Sequence, residues 1–146
     1  MSIETKLAEL GITLPDAPAP AANYVPYVIT GNLLFVSGQI SPAKGRLGAD
    51  LAVEEGAEAA RGCGLALLAQ ARAALGSLDR VVRVVKLTGF VNSTAEFTDQ
   101  PEVINGCSNL MVEVFGDRGR HARAAVSAPA LPRGVAVEVE AIFEFA

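Results

Sequence analysis

The residues best suited to chemistry lie in "GRHARAAVSAPALPRGVAVEVEAIFEFA", Gly119 to Ala146. Arg123 stands among alanines, and the planar fork of a guanidinium binds a carboxylate through two parallel hydrogen bonds. In "VAVEVEAIFEF" the residues alternate. Val135, Val137, Val139 and Phe143 therefore share one face of a strand, and Glu138, Glu140, Ile142 and Glu144 share the other. Successive carboxylates on such a face lie roughly 7 Å apart. An arginine so placed could hold an acid-bearing ligand. A plainer reading exists. In it Arg123 forms an ion pair with Glu138 or Glu140, a symmetric hairpin centred on Ala130–Leu131 setting it opposite Glu138, and Glu140 and Glu144 are otherwise structural or solvated. Arg118, Arg120 and His121 read as a basic loop after a helix, and His121 is given no role. "SGQI" offers the backbone N–H of Gly38 to an anion.

Other chemistries find little support. Cys63 and Cys107 form no CxxC pair, and a single histidine leaves little for a metal site or for the usual acid–base machinery. "GRLGADLAVEEG" lacks the GK[ST] ending and the preceding strand of a phosphate loop. No cofactor is implied. A net charge of −4 and a pI of about 5.0 argue against a nucleic-acid partner, which calls for clustered Lys and Arg. "MSIETKLAELGITLPD" carries acidic residues and no long apolar run, so it does not read as a signal peptide. No other stretch reads as a membrane span, and the expected location is the cytoplasm.

The elements that must position these residues follow from periodicity. A length of 146 residues fits one domain, residues 1–146. Its first part, 1–21, reads as a short helix, with Leu7 and Leu10 on one face and Gly11 as its stop, then a proline-rich arm. The core spans 22–146. "YVPYVITGNLLFVSGQI" reads as a hairpin turning at "GN", with Gly38 marking a bulge or a close backbone approach. A long helix is expected from about Asp50, its N-cap, to Leu75, with an apolar stripe from Val53 through Ala57, Ala60, Gly64, Leu67 and Ala71. "RVVRVVKLTGFVN" is a strand whose valine runs suit burial on both faces. A second helix covers roughly Pro101–Phe115, with Val103, Ile104, Cys107, Leu110, Met111 and Val114 inward. Two strands close the chain. This order makes an α+β domain, one sheet with two helices packed on one face. Hydrophobic residues make up 51 % of the chain and mean hydropathy is +0.35. That is rich for so small a domain and points to other subunits covering the bare sheet face.

The stretches "YVPYVITGNLLFVSGQI", "LDRVVRVVKLTGFVNSTAEF" and "RAAVSAPALPRGVAVEVEAIFEF" together resemble the Rid family (reactive intermediate deaminases, also called YjgF-like or L-PSP endoribonuclease-like proteins) over about residues 22–146. The arginine, then "LP", then "VEVEA" carries most of the specificity. The resemblance implies a chorismate mutase-like fold with one mixed sheet, assembled as a homotrimer with clefts between subunits. It also implies that the last strand inserts between earlier ones, which replaces the hairpin of Arg123 with Glu138 by a meeting across a cleft. Active members hydrolyse enamines and imines such as 2-aminoacrylate or 2-iminobutanoate to 2-keto acids and ammonia. By the resemblance, Arg123 holds the substrate carboxylate and Glu138 orients or activates the attacking water. Tyr24, Gly38, Asn105 and the backbone N–H of Ala125 complete the binding site, Asn105 standing one residue off the usual spacing before Arg123. Many deaminases of the family have Ser and Cys after the arginine, where this chain has Ala124 and Ala125. A non-catalytic carboxylate or keto-acid binder of the same fold and an endoribonuclease are the alternative functions.

Overall fold

A computed structural model describes residues 1–146. In chain order it contains α1 (Ile3–Glu9), β1 (Tyr27–Thr30), β2 (Leu33–Ile40), α2 (Val53–Leu75), β3 (Val81–Asn92), α3 (Gln100–Phe115), β4 (Ala122–Ala128) and β5 (Val137–Phe145). Single 3-10 turns lie at Leu78–Arg80, Gly116–Gly119 and Pro132–Gly134. Residues 11–26 form no helix or strand.

The strands make one mixed sheet in the order β1-β2-β5-β3-β4. β1 and β2 are a hairpin closed by Gly31–Asn32, and Gly31 takes the left-handed φ of 59° that such a tight turn requires. β5 runs antiparallel to both β2 and β3, and β4 lies parallel to β3 on the sheet edge. β4 and β5 are therefore not a hairpin. β5 brings four buried residues, Val137, Val139, Ala141 and Phe143, and takes the centre, where both its backbone edges are paired. The alanine-rich β4 is left the edge, reached from β3 through α3, as a parallel pairing requires.

α2 and α3 pack on each other and on one face of the sheet. Small residues permit the close approach: a Cβ on Gly106 would overlap the carbonyl of Ala57 on α2, and one on Gly64 would stand 2.8 Å from Leu110 Cδ2. Leu67, Leu68, Ile104, Leu110 and Met111 bury against Leu34, Val84, Leu87, Val91 and Phe143 of the sheet. The expected inner face of α3 is buried throughout, whereas Val53 and Ala57 on the α2 stripe are only half-buried. Gly76, with φ of 82°, ends α2.

Three local expectations are corrected. Asp50 is not the α2 cap: its Oδ2 accepts the Arg46 N–H within the preceding turn, while Ala52 is the N-cap residue and donates its N–H to Glu55 Oε1 at 2.9 Å. Leu10 is exposed while Leu7 is buried, because α1 stops at Glu9. β3 is covered on one face within the chain, and Val82 is exposed. The face away from the helices carries two rows across the sheet, Val28–Phe35–Ile142–Lys86 and Ile40–Glu138–Phe90–Val126. Val28, Phe35, Ile40 and Val126 are exposed on it.

Candidate functional site

The register of β2 on β5 slips between Val36↔Ala141 and Gln39↔Val139, so Ser37 and Gly38 together oppose Glu140. This is the bulge expected at Gly38, and the close approach is there too. The Glu138 carboxylate rests against Gly38: a Cβ at Gly38 would overlap Glu138 Oε2 and stand 2.9 Å from Cδ. Ser37 also ties down the segment before β1. Its N–H donates to Pro26 O at 2.9 Å and its hydroxyl to Val25 O at 2.7 Å. Pro26 has no N–H to continue the ladder, so β1 begins at Tyr27 and Tyr24 is left on the loop. There Tyr24 lines a cavity of ≈ 370 Å³ with Gly38, Ile40, Glu138, Arg133 and the arm residues Pro18 to Ala22.

Glu138 is half-buried, and while its backbone is paired in the sheet, its carboxylate makes no hydrogen bond or ion pair within the chain. Burial, and secondly the charge of Glu140, push its carboxyl above the usual carboxylate range. A carboxylate of raised basicity facing a cavity is suited to taking a proton from water.

Arg123 belongs to a separate cluster. In register it stands beside Leu87, whose side chain points to the helices, whereas Glu138 stands beside Phe90 on the open face. Within one chain the two residues thus face opposite sides of the sheet, and β3 separates their strands. Arg123 Nη1 donates to Asn105 Oδ1 at 2.8 Å and to Ser108 Oγ at 3.3 Å, both on α3. The ion pairs of the chain are Arg61–Glu113, Arg72–Glu4 and Arg120–Asp117, so the expected pairing of Arg123 with Glu138 or Glu140 does not occur. Its guanidinium is oriented by neutral acceptors and keeps its charge uncompensated. Asn105 is brought to Arg123 despite its spacing. Ala125 shares the face of Arg123, beside Gly89 and half-buried against the core, and Ala124 stands beside Thr88 on the open face.

His121, passed over in the sequence, joins this cluster. Its Nδ1 lies 2.6 Å from Gly119 O and its Nε2 lies 2.8 Å from Ser108 Oγ. A carbonyl only accepts, so Nδ1 carries the proton and Nε2 accepts from the Ser108 hydroxyl. Burial, and then the Arg123 charge, lower the His121 pKa against the opposing Gly119 hydrogen bond, keeping the ring neutral in ordinary buffers. Sequence reasoning also missed Arg133 and Gln70. Arg133 holds a left-handed φ of 60° in the turn before β5. Gln70 is a polar residue on the buried side of α2, next to Ala71 of the apolar stripe and three residues from Leu67, and that placement was the available signal. The two cysteines are buried thiols. Burial raises both, Cys107 to about 12, which suits neither to act as a nucleophile. No group of three or more His, Cys, Asp or Glu side chains is placed to hold a metal ion, and no helix is long and apolar enough to cross a membrane.

Residues 4–144 match the model of a family described as "YjgF/chorismate mutase-like, putative endoribonuclease". Protein TCP17 of Trypanosoma cruzi is 53 % identical over 149 aligned positions, covering 97 % of this chain and 93 % of that protein. The RutC family protein y4sK of Sinorhizobium fredii is 36 % identical, covering 90 % of this chain and 94 % of its own length. Among solved structures, Atu1372 of Agrobacterium tumefaciens, described as of unknown function, superposes with a TM-score of 0.92 at 49 % identity. That superposition covers 99 % of this chain, the proline arm included, and 92 % of the other.

Proposed function

The chain belongs to the YjgF/chorismate mutase-like family, which includes the Rid proteins, and on that premise we propose that it is a hydrolytic deaminase of reactive enamines and imines. Its substrates on this reading are of the 2-aminoacrylate or 2-iminobutanoate type, and its products are a 2-keto acid and ammonia. One observation carries the reading: the Arg123 guanidinium is held by Asn105 and Ser108 with no carboxylate beside it, so a ligand carboxylate is the group it lacks.

Arg123 and Glu138 face opposite sides of one sheet, so a ligand touching both must lie between copies. One copy supplies Glu138, Gly38 and Tyr24, and its neighbour supplies Arg123, Asn105 and the Ala125 N–H. The exposed Val28, Phe35, Ile40 and Val126 favour such an assembly, since a sheet face this apolar is normally covered. A homotrimer with three clefts is the form proposed.

Chemically the site has little to do beyond positioning. An enamine gains a proton at its β-carbon and becomes the iminium. Water, giving a proton to Glu138, adds to the iminium carbon. The carbinolamine then receives that proton on nitrogen, which restores the carboxylate, and expels ammonia while its hydroxyl proton passes to solvent, leaving the keto acid. Arg123 holds the acid group in ground and transition states alike, so its contribution falls mainly on KM.

The test follows imine loss after an amino acid oxidase or a lyase has generated it. Acceleration by wild type and none by Arg123→Ala supports the reading, and no acceleration across small and branched imines refutes it. A second reading, a non-catalytic carboxylate binder in the same clefts, is favoured by Ala124 and Ala125, which offer no polar side chain. Keto-acid binding without imine turnover would establish it. An endoribonuclease is least supported, since the lone histidine is already engaged with Ser108.

A further inference from the structure

Leu14 buries the start of the proline arm in the core, and one buried side chain of α2 holds the arm further along by hydrogen bonding. Gln70, in the middle of α2, is 1 % exposed. Its Nε2 donates to Pro18 O at 2.6 Å and lies 3.4 Å from Gln39 Oε1. Gln39, also buried, donates its own Nε2 to Ser37 O at 2.9 Å. A line of amides therefore runs from the arm, through α2, to the bulge that carries Gly38. An amide buried without partners is costly, so this line holds the arm in one place although the arm has no regular structure of its own.

The place it is held is the Glu138 cavity. Pro18, Ala19, Pro20, Ala21 and Ala22 form one wall, and Ile40, Pro26 and Pro132 extend the apolar lining. Glu138 and Arg133 are the only charged residues on it. A wall of prolines and alanines offers no hydrogen-bonding side chain, and the prolines keep it stiff.

Resting on the deaminase reading, we propose that the arm is the specificity wall of the site. The substrate's carbon chain packs against Pro18–Ala22, and this narrows the substrate class: among 2-imino acids the enzyme prefers those with a branched aliphatic chain to small ones such as 2-aminoacrylate and to acidic ones. Gln70 is the positioning residue that sets the wall. Each methylene buried in such a pocket is worth about fourfold, and an isobutyl group in place of a methyl is expected to gain at least about tenfold in affinity.

The experiment uses keto acids, the products, so that it does not depend on turnover. Pyruvate, 4-methyl-2-oxopentanoate and 2-oxoglutarate are titrated calorimetrically into wild type, Gln70→Leu and Ala21→Asp. Ala21 is exposed on the wall and its substitution does not disturb the core, which guards against a Gln70 variant that fails to fold. The expected result is a preference of at least about tenfold for 4-methyl-2-oxopentanoate over pyruvate in wild type, falling below about threefold in both variants. General loss of folded protein would lower the binding stoichiometry for both acids rather than their affinities, so the affinity ratio is read together with stoichiometry and Ala21→Asp decides where Gln70→Leu does not fold. An unchanged ratio in both variants overturns the inference, as does equal affinity for the two acids in wild type. Tightest binding of 2-oxoglutarate also overturns it and assigns selection to Arg133. Binding of no keto acid by wild type removes the deaminase site itself and this inference with it.

Discussion

Replacing Gly38 by alanine tests whether the position of the Glu138 carboxylate matters to the proposed imine hydrolysis. The added Cβ would overlap Glu138 Oε2, stand 2.9 Å from Cδ and stand 3.1 Å from Cγ. Ordinary contact distances of about 3.5 Å require the carboxyl group to move by roughly 1 Å. Misplacing a reacting group by that much costs about 100-fold, which is about 2.7 kcal/mol of transition-state stabilisation. The fold has no comparable penalty. Gly38 is not in the left-handed region, so alanine adopts its backbone without strain, and Glu138 is half-buried and free to swing toward solvent. The expected outcome is kcat/KM for imine hydrolysis lowered about 100-fold, with Tm within about 3 °C of wild type. Wild-type kcat/KM in a folded Gly38→Ala protein would show that the carboxylate against Gly38 takes no part. Loss of the folded state with the activity would refute the claim that only the carboxyl group must yield.

Arg123→Lys should raise KM at least tenfold with a smaller change in kcat, because one ammonium cannot serve Asn105, Ser108 and a ligand carboxylate as a fork does; an unchanged KM would rule out the carboxylate grip. Glu138→Gln should melt at a higher temperature than wild type at pH 7.5. The folded-state pKa of Glu138 is raised, so the stability its protonated form contributes is full below the unfolded value and lost as pH rises through the folded one. The difference should vanish near pH 4, and a lower Tm at pH 7.5 would contradict the sign. His121 runs the other way: its folded pKa is lowered, so its contribution is present above the unfolded value and lost as pH falls through the folded one. Thermal melts between pH 7.5 and 5 should therefore show a smaller acid-induced drop in His121→Gln, and an identical drop would exclude it. Gly62→Ala, whose new methyl meets only Pro42 Cδ at 3.9 Å, should stabilise α2 by about 0.5–1 kcal/mol. Gly106→Ala would drive a methyl into the Ala57 backbone and should destabilise by about 1–3 kcal/mol, and denaturant titration separates the two.

Much of the local structure was legible because its signals reach only a few residues. The inner face of α3, the helix ends at Leu75 and Phe115, the turn at Gly31–Asn32 and the bulge at Gly38 all follow from periods of 3.6 and 2 and from the glycines beside them. Asp50 misled because an aspartate before a helix can serve either the cap or the preceding turn, and here the Arg46 N–H took it. Gln70 and His121 were passed over because their partners, Pro18, Gln39 and Ser108, are distant in the chain or depend on packing.

The sequence by itself singled out Arg123 and Glu138 as the candidates for chemistry and determined the helices and strands around them. Only the tertiary structure decided their partners and sides. Strand pairing is non-local, and β5 left the Arg123-bearing strand for the centre of the sheet, where its apolar face and both backbone edges are satisfied. Sidedness then depended on register. Side chains alternate with a period of two, so each one-residue slip, such as those along β2 and β3, exchanges the faces. A count of residues between Arg123 and Glu138 cannot see those slips, and it therefore could not say that the arginine faces the helices while the glutamate faces the open side.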